Sequence, residues 1–122
     1  MEGRKYDSDK TRWDLVQPLA LQEYAQVMTY GAHKYEPDNW RKVPDAKKRY
    51  FSALLRHVWA WWLGEKIDHE SGRHHLGHAM CCLTFLLEPE LEEEDRNRSL
   101  DAARVSLGAS TRLKEVPRGK TK

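Results

Sequence analysis

The sequence predicts an all-α fold, a small helical bundle, and three observations carry that prediction. Apolar residues recur at three- and four-residue spacing through three separate segments, and no alternating apolar pattern persists long enough to build a strand. Proline, glycine and aspartate stand where the ends of those segments should be. The chain has 122 residues, is 39% hydrophobic and 33% charged, and has a mean hydropathy of −0.86, so one domain with a small core is expected.

The first helix is expected to start at Pro18, since proline suits the first helical position, and to end between Gly31 and Tyr35. Leu21, Ala25, Met28 and Ala32 form its apolar stripe. A polar loop holding Trp40 leads to the second helix, 46–63, with Asp45 as N-cap, Gly64 at the terminal cap and a face of Phe51, Leu54, Leu55, Val58, Trp61 and Trp62. The EKIDHESG text that follows is too polar for core and reads as a turn. A third helix carries Leu76, Ala79, Met80, Leu83, Leu86 and Leu87 and is expected to close at Pro89.

The helical domain is therefore placed at 1–88, and 89–122 is read as a charged extension, a short helix or disordered. Residues 90–95 hold five acids, whereas 96–122 hold eight basic residues against two acids, a polarised and mobile tail. Within it, 99–107 offers too little apolar surface for an independent helix. Three short amphipathic helices bury little as a monomer, and Trp59, Trp61 and Trp62 cover more than one helix face. A homodimer or homotetramer is the expectation.

No run approaches the roughly 20 apolar residues of a membrane span, and the start MEGRKYDSDK lacks a secretory apolar stretch. Adjacent Cys81 and Cys82 do not suit an ordinary disulfide and read as small buried hydrophobes, so a cytoplasmic setting is expected. A net charge of +2 and a pI near 8.6 argue against a dedicated nucleic-acid binder. Nothing resembles GxxxxGK, GxGxxG or GxSxG, which removes Walker, Rossmann and nucleophile-elbow chemistry.

Chemistry concentrates in one stretch. Five of the six histidines fall between His57 and His78, alongside Glu65, Asp68 and Glu70, while His33 and His69 read as surface residues. His74 and His78 are spaced i, i+4 and His75 and His78 i, i+3, either of which presents two ring nitrogens on one helix face. Carboxylates mixed with imidazoles suit Co, Mn, Zn or Mg, and no thiolate quartet suggests a structural zinc site. A helical histidine cluster is often only a solvated face, but this density of ligands favours a functional one. A second group, Lys34, Asn39, Trp40, Arg41 and Arg56, has the side chains that bind phosphates, read a base edge and stack on a base.

The succession KYDSDKTRWDL, YGAHKYEPDNW and ALLRHVWAWWLGEKIDHESGRHHLGHAMCCLTFLL resembles the phage dATP/dGTP diphosphohydrolases, relatives of the MazG-like all-α nucleoside triphosphate pyrophosphohydrolases. The likeness spans Lys5 to Leu87 and includes GAxKYxxxNW and RHxxxxxxGExxDxESGxxHLxHA. It implies a MazG-like bundle and metal-dependent cleavage of a purine deoxynucleoside triphosphate to monophosphate and pyrophosphate in a host cytoplasm. In some phages the dGMP so made feeds 2-aminoadenine synthesis. The chain departs from the MazG pattern in lacking a core ExxE helix, and His75-Leu76-Gly77-His78 stands where ELGD is expected, which favours Co or Mn over Mg.

The expected ion ligands are Glu65, Asp68, Glu70 and His78, with His75 and His57 as second choices. His57 completes the shell or hydrogen-bonds a ligating carboxylate, and Glu70, with Asp68 and His57, is a candidate for the base that orients water. Lys34, Arg41 and Arg56 are assigned to phosphates, Asn39 and Trp40 to the purine, and Lys10 or Arg12 to closing over the triphosphate. Two alternatives stand beside this: a small nucleic-acid-binding or regulatory module, and an HD-type phosphohydrolase, which releases phosphate instead of pyrophosphate.

Overall fold

Pro18 opens α1, Pro18–Lys34, with its missing N–H at a position that needs no partner. The computed structural model of the chain describes residues 2–108. After short 3-10 turns at Trp13–Leu15 and Asn39–Lys42 come α2, Ala46–Trp62, and α3, His75–Ser106. The fold is all-α, as the sequence predicts, and the described residues contain only one isolated bridge, Ile67 with His74.

The end of α2 follows from Gly64. Its φ of 110° lets the chain turn back, the amide of Glu65 donates to the carbonyl of Ala60 at 2.9 Å, and that of Leu63 to Trp59 at 3.0 Å. The beginning of α2 differs from expectation. Asp45 precedes the helix but makes no side-chain cap; its backbone is left-handed, φ 59°, instead of the extended conformation in which an N-cap side chain reaches the first turn.

Residues 65–74 form a tight polar hairpin. The amide of Asp68 donates to the Arg73 carbonyl and that of His75 to the Lys66 carbonyl, both at 2.8 Å. His74 then caps α3, its Nδ1 accepting the Leu76 amide at 3.0 Å.

The buried faces are rotated from the expected stripes. On α1 only Val27 is buried, whereas Leu21 and Ala25 are exposed. The cause is Gly77 of α3, which lies so close to α1 that a Cβ there would meet Glu23 Cγ at 2.9 Å and Val27 Cγ2 at 3.1 Å. On α2, Leu54 and Val58 are half-buried, but Phe51, Leu55 and Trp62 of the expected face are exposed. On α3 the buried residues are His75, Gly77, Ala79, Cys81 and Cys82, with Leu83 and Leu87 outside.

α3 does not close at Pro89. It runs through the proline to Ser106 and absorbs the segment at 99–106 that the sequence treats separately. The chain divides into two units, Met1–Leu86 and the remainder from Leu87. In the second, Arg98 pairs with Asp95 and Arg104 with Asp101 at i, i+3 spacing, which supports a helix poor in apolar contacts. The rest of the expected mobile tail, 109–122, lies outside the described residues. No described helix is long and apolar enough to cross a membrane.

Candidate active site

Three elements of the first unit bring imidazoles together. α2 supplies His57, the first turn of α3 supplies His75 and His78, and the 65–74 hairpin adds Asp68 and Ser71. His57 stacks on His78 with ring centroids 4.5 Å apart and planes 8° from parallel, and its Nδ1 lies 2.8 Å from Nδ1 of His75.

The hydrogen bonds fix the proton positions. His75 Nε2 lies 2.7 Å from Glu65 Oε1, so it carries the proton and leaves Nδ1 with a lone pair. Ser71 Oγ lies 2.8 Å from Asp68 Oδ2 and must donate to it, while accepting the Arg73 amide at 3.1 Å. His78 Nε2, 2.6 Å from the same hydroxyl, is therefore a donor too. Two of the three imidazoles are thus oriented by a carboxylate, His75 directly and His78 through Ser71.

Burial, reinforced by neighbouring His78 and His75, pushes His57 down to about 4. Burial also lowers His78 against the pull of Asp68. At Asp68 burial works upward, but hydrogen bonds from the Ser71 hydroxyl and amide, with the two imidazoles, overcome it and hold the carboxyl below its usual range. Glu65 is likewise held low, chiefly by its bond from His75. At neutral pH the rings of His57 and His78 are thus neutral beside the ionised carboxylates of Asp68 and Glu65.

That donor set fits a divalent ion. His57, Asp68 and His75 each offer one ligand atom, all within 4.8 Å of one another. With the lone pair of His75 on Nδ1, its 2.8 Å contact with Nδ1 of His57 is a hydrogen bond donated by His57, which an ion held by both rings would replace. Glu65 behind His75 is the outer carboxylate that metal-bound histidines usually have.

The cluster opens onto a cavity of about 430 Å³, to which His57, Asp68 and His78 contribute one part of the wall. Lys34 and Glu70, which form an ion pair, line it as well. Another part is aromatic: Trp40 stacks on Phe85 at 4.8 Å, Tyr50 tilts against the same ring, and Asn39 lies beside them. Cys81 and Cys82 complete the lining, and burial raises their thiols to about 12 and about 11, so they serve as hydrophobes, as expected.

A mostly apolar pocket with a few convergent polar groups in its wall has the usual form of a small-molecule site. The family model described as "dATP/dGTP diphosphohydrolase, N-terminal" matches residues 1–99. The chain belongs to that family. A dATP/dGTP diphosphohydrolase of Salmonella phage PMBT28 is 34% identical over 86 residues, covering 70% of this chain and 29% of that protein. The chain thus spans less than a third of this relative's length, and no solved structure matches.

In this member of the dATP/dGTP diphosphohydrolase N-terminal family, the expected site residues are distributed unevenly. Asp68, His57, His75 and His78 are brought together, and Lys34, Asn39, Trp40 and Glu70 line the cavity. Glu65 stands behind His75, and Glu70 is engaged by Lys34. Lys10, Arg41 and Arg56 lie outside the lining: Arg56 bonds Ser52, and Arg41 packs over Trp40 at 4.4 Å. Arg12 pairs with Asp14, and His33 and His69 are exposed. Sequence reasoning missed Ser71, Glu23 and Arg73. Glu23 takes both arms of Arg73 at 3.1 Å and the His74 amide at 3.0 Å, and its signal was a lone acid four residues before Val27 on an otherwise apolar face.

Proposed function

We propose that the cavity binds a purine deoxynucleoside triphosphate and that the chain takes part in its hydrolysis to the monophosphate and pyrophosphate, with a divalent ion such as Co, Mn or Mg held by His57, Asp68 and His75. The observation that carries this reading is the single cavity lined by both an imidazole–carboxylate cluster with Lys34 and an aromatic wall of Trp40, Phe85 and Tyr50. The relative's name supports the choice of dATP and dGTP.

When bound, the ion supplies positive charge against the phosphate oxygens and acidifies a coordinated water. Glu65 keeps the proton of His75 on Nε2, so that Nδ1 faces the site, and Ser71 does the same for Nε2 of His78. Asp68, ionised, keeps a second carboxylate oxygen able to take a proton from the attacking water. Lys34 offsets phosphate charge, and the aromatic wall excludes water from the base.

The exposed Phe51, Leu55, Trp59 and Trp62 along α2 support self-association as part of this reading. Product analysis with dGTP, dATP, GTP and dCTP, each with Mg, Mn or Co, tests the reaction. Monophosphate and pyrophosphate from the purine deoxynucleotides are expected, with loss of turnover in Asp68→Asn. Release of inorganic phosphate alone would favour an HD-type reaction, and no turnover would refute the enzymatic reading.

A further inference from the structure

Lys34 closes the last turn of α1, and Glu70 lies 36 residues away in the hairpin, yet the two form an ion pair where both line the cavity. The pair is unequal. The Lys34 side chain is 36% exposed and runs beside the rings of Tyr30 and Tyr35, 5.9 and 5.2 Å from its ammonium, which hold the cation in place. Glu70 is 64% exposed, and among the described residues its carboxylate makes its hydrogen bond and ion pair with Lys34 alone. An arriving anion therefore finds a cation flanked by two rings and covered by an exposed carboxylate.

We propose that Glu70 is a built-in competitor for the phosphate subsite at Lys34: it occupies the cation in the free protein and is exchanged for a ligand phosphate on binding. The inference rests on the reading that the cavity takes a nucleotide, and it replaces the ligand role that the sequence assigns to Glu70. An ammonium left bare beside a part-buried cavity would retain any phosphate, including the pyrophosphate that hydrolysis releases. A tethered carboxylate weakens that retention by a modest factor, because an exposed pair contributes only about 0–1 kcal/mol, at most about fivefold in affinity.

Calorimetric titration of inorganic pyrophosphate, dATP and deoxyadenosine into the EDTA-treated protein tests this. Glu70→Gln should bind pyrophosphate and dATP about two- to fivefold more tightly than the parent, with deoxyadenosine unchanged. In a Lys34→Met background the same substitution should have no effect, because the cation competed for is gone. Unchanged or weaker pyrophosphate binding by Glu70→Gln, or a gain that persists without Lys34, overturns the inference while leaving the nucleotide reading intact. Absence of pyrophosphate and dATP binding in every variant overturns both. Weaker cobalt binding by Glu70→Gln in the metal-supplemented protein would return Glu70 to the ligand role and overturn the competitor.

Discussion

At the residue scale the imidazoles determine how the protein responds to acid. His57 is held near 4 against an ordinary value of 6.5, so between those limits the unfolded chain binds a proton that the folded chain does not. Stability of the metal-free protein should therefore fall as pH is lowered from 6.5 towards 4, and level off above 6.5. His78 acts in the same direction, while Glu65 and Asp68, both held low, add a further loss below the ordinary carboxylate range. Thermal melts across this range should show the fall, and His57→Gln should flatten its upper part. For the proposed ion, Glu65→Ala should cost about 10- to 100-fold in cobalt affinity, read by titration, by freeing the orientation of His75. Residue identities were legible in the sequence; pairings were not. The clustering of histidines and acids named His57, Asp68 and His75, but which nitrogen faces which oxygen depends on how the hairpin folds back, and Ser71 carries no sequence signal as a proton-fixing hydroxyl.

At the scale of elements, punctuation was more informative than periodicity. Pro18 and Gly64 marked real boundaries because each satisfies a local backbone requirement, whereas the apolar stripes were misphased. Glu23 lies off the expected stripe of α1, yet its carboxylate is engaged by Arg73 and the His74 amide and sits at the contact between α1 and α3. Gly77→Ala should lower stability by about 1 kcal/mol in urea unfolding, the overpacking cost of about 1–3 kcal/mol being partly offset by better helix propensity. Pro89 misled in the other direction. It lies inside α3, where it cannot donate to the carbonyl four residues earlier, so Pro89→Ala should raise helical circular dichroism and stabilise the helix, by up to about 3 kcal/mol.

At the scale of the whole molecule, the fold buries little. Among the described residues no side chain falls below 2% exposure, and large apolar groups such as Trp59, Trp62 and Leu63 remain in solvent. The sequence anticipated this from the surplus of tryptophan over helix faces. If self-association covers α2 as proposed, Trp62→Glu should shift sedimentation velocity towards the monomer, and an unshifted boundary would count against that surface. The buried set itself is Val27, His75, Gly77, Ala79, Cys81 and Cys82, so five of its six members lie in the opening turns of α3, around the imidazole cluster. Hydrogen exchange should register this as a single slow island. Deuterium should enter the amides from 79 to 82 last and the rest of the described backbone much sooner, with the proton clock of the fold running slowest beside the site.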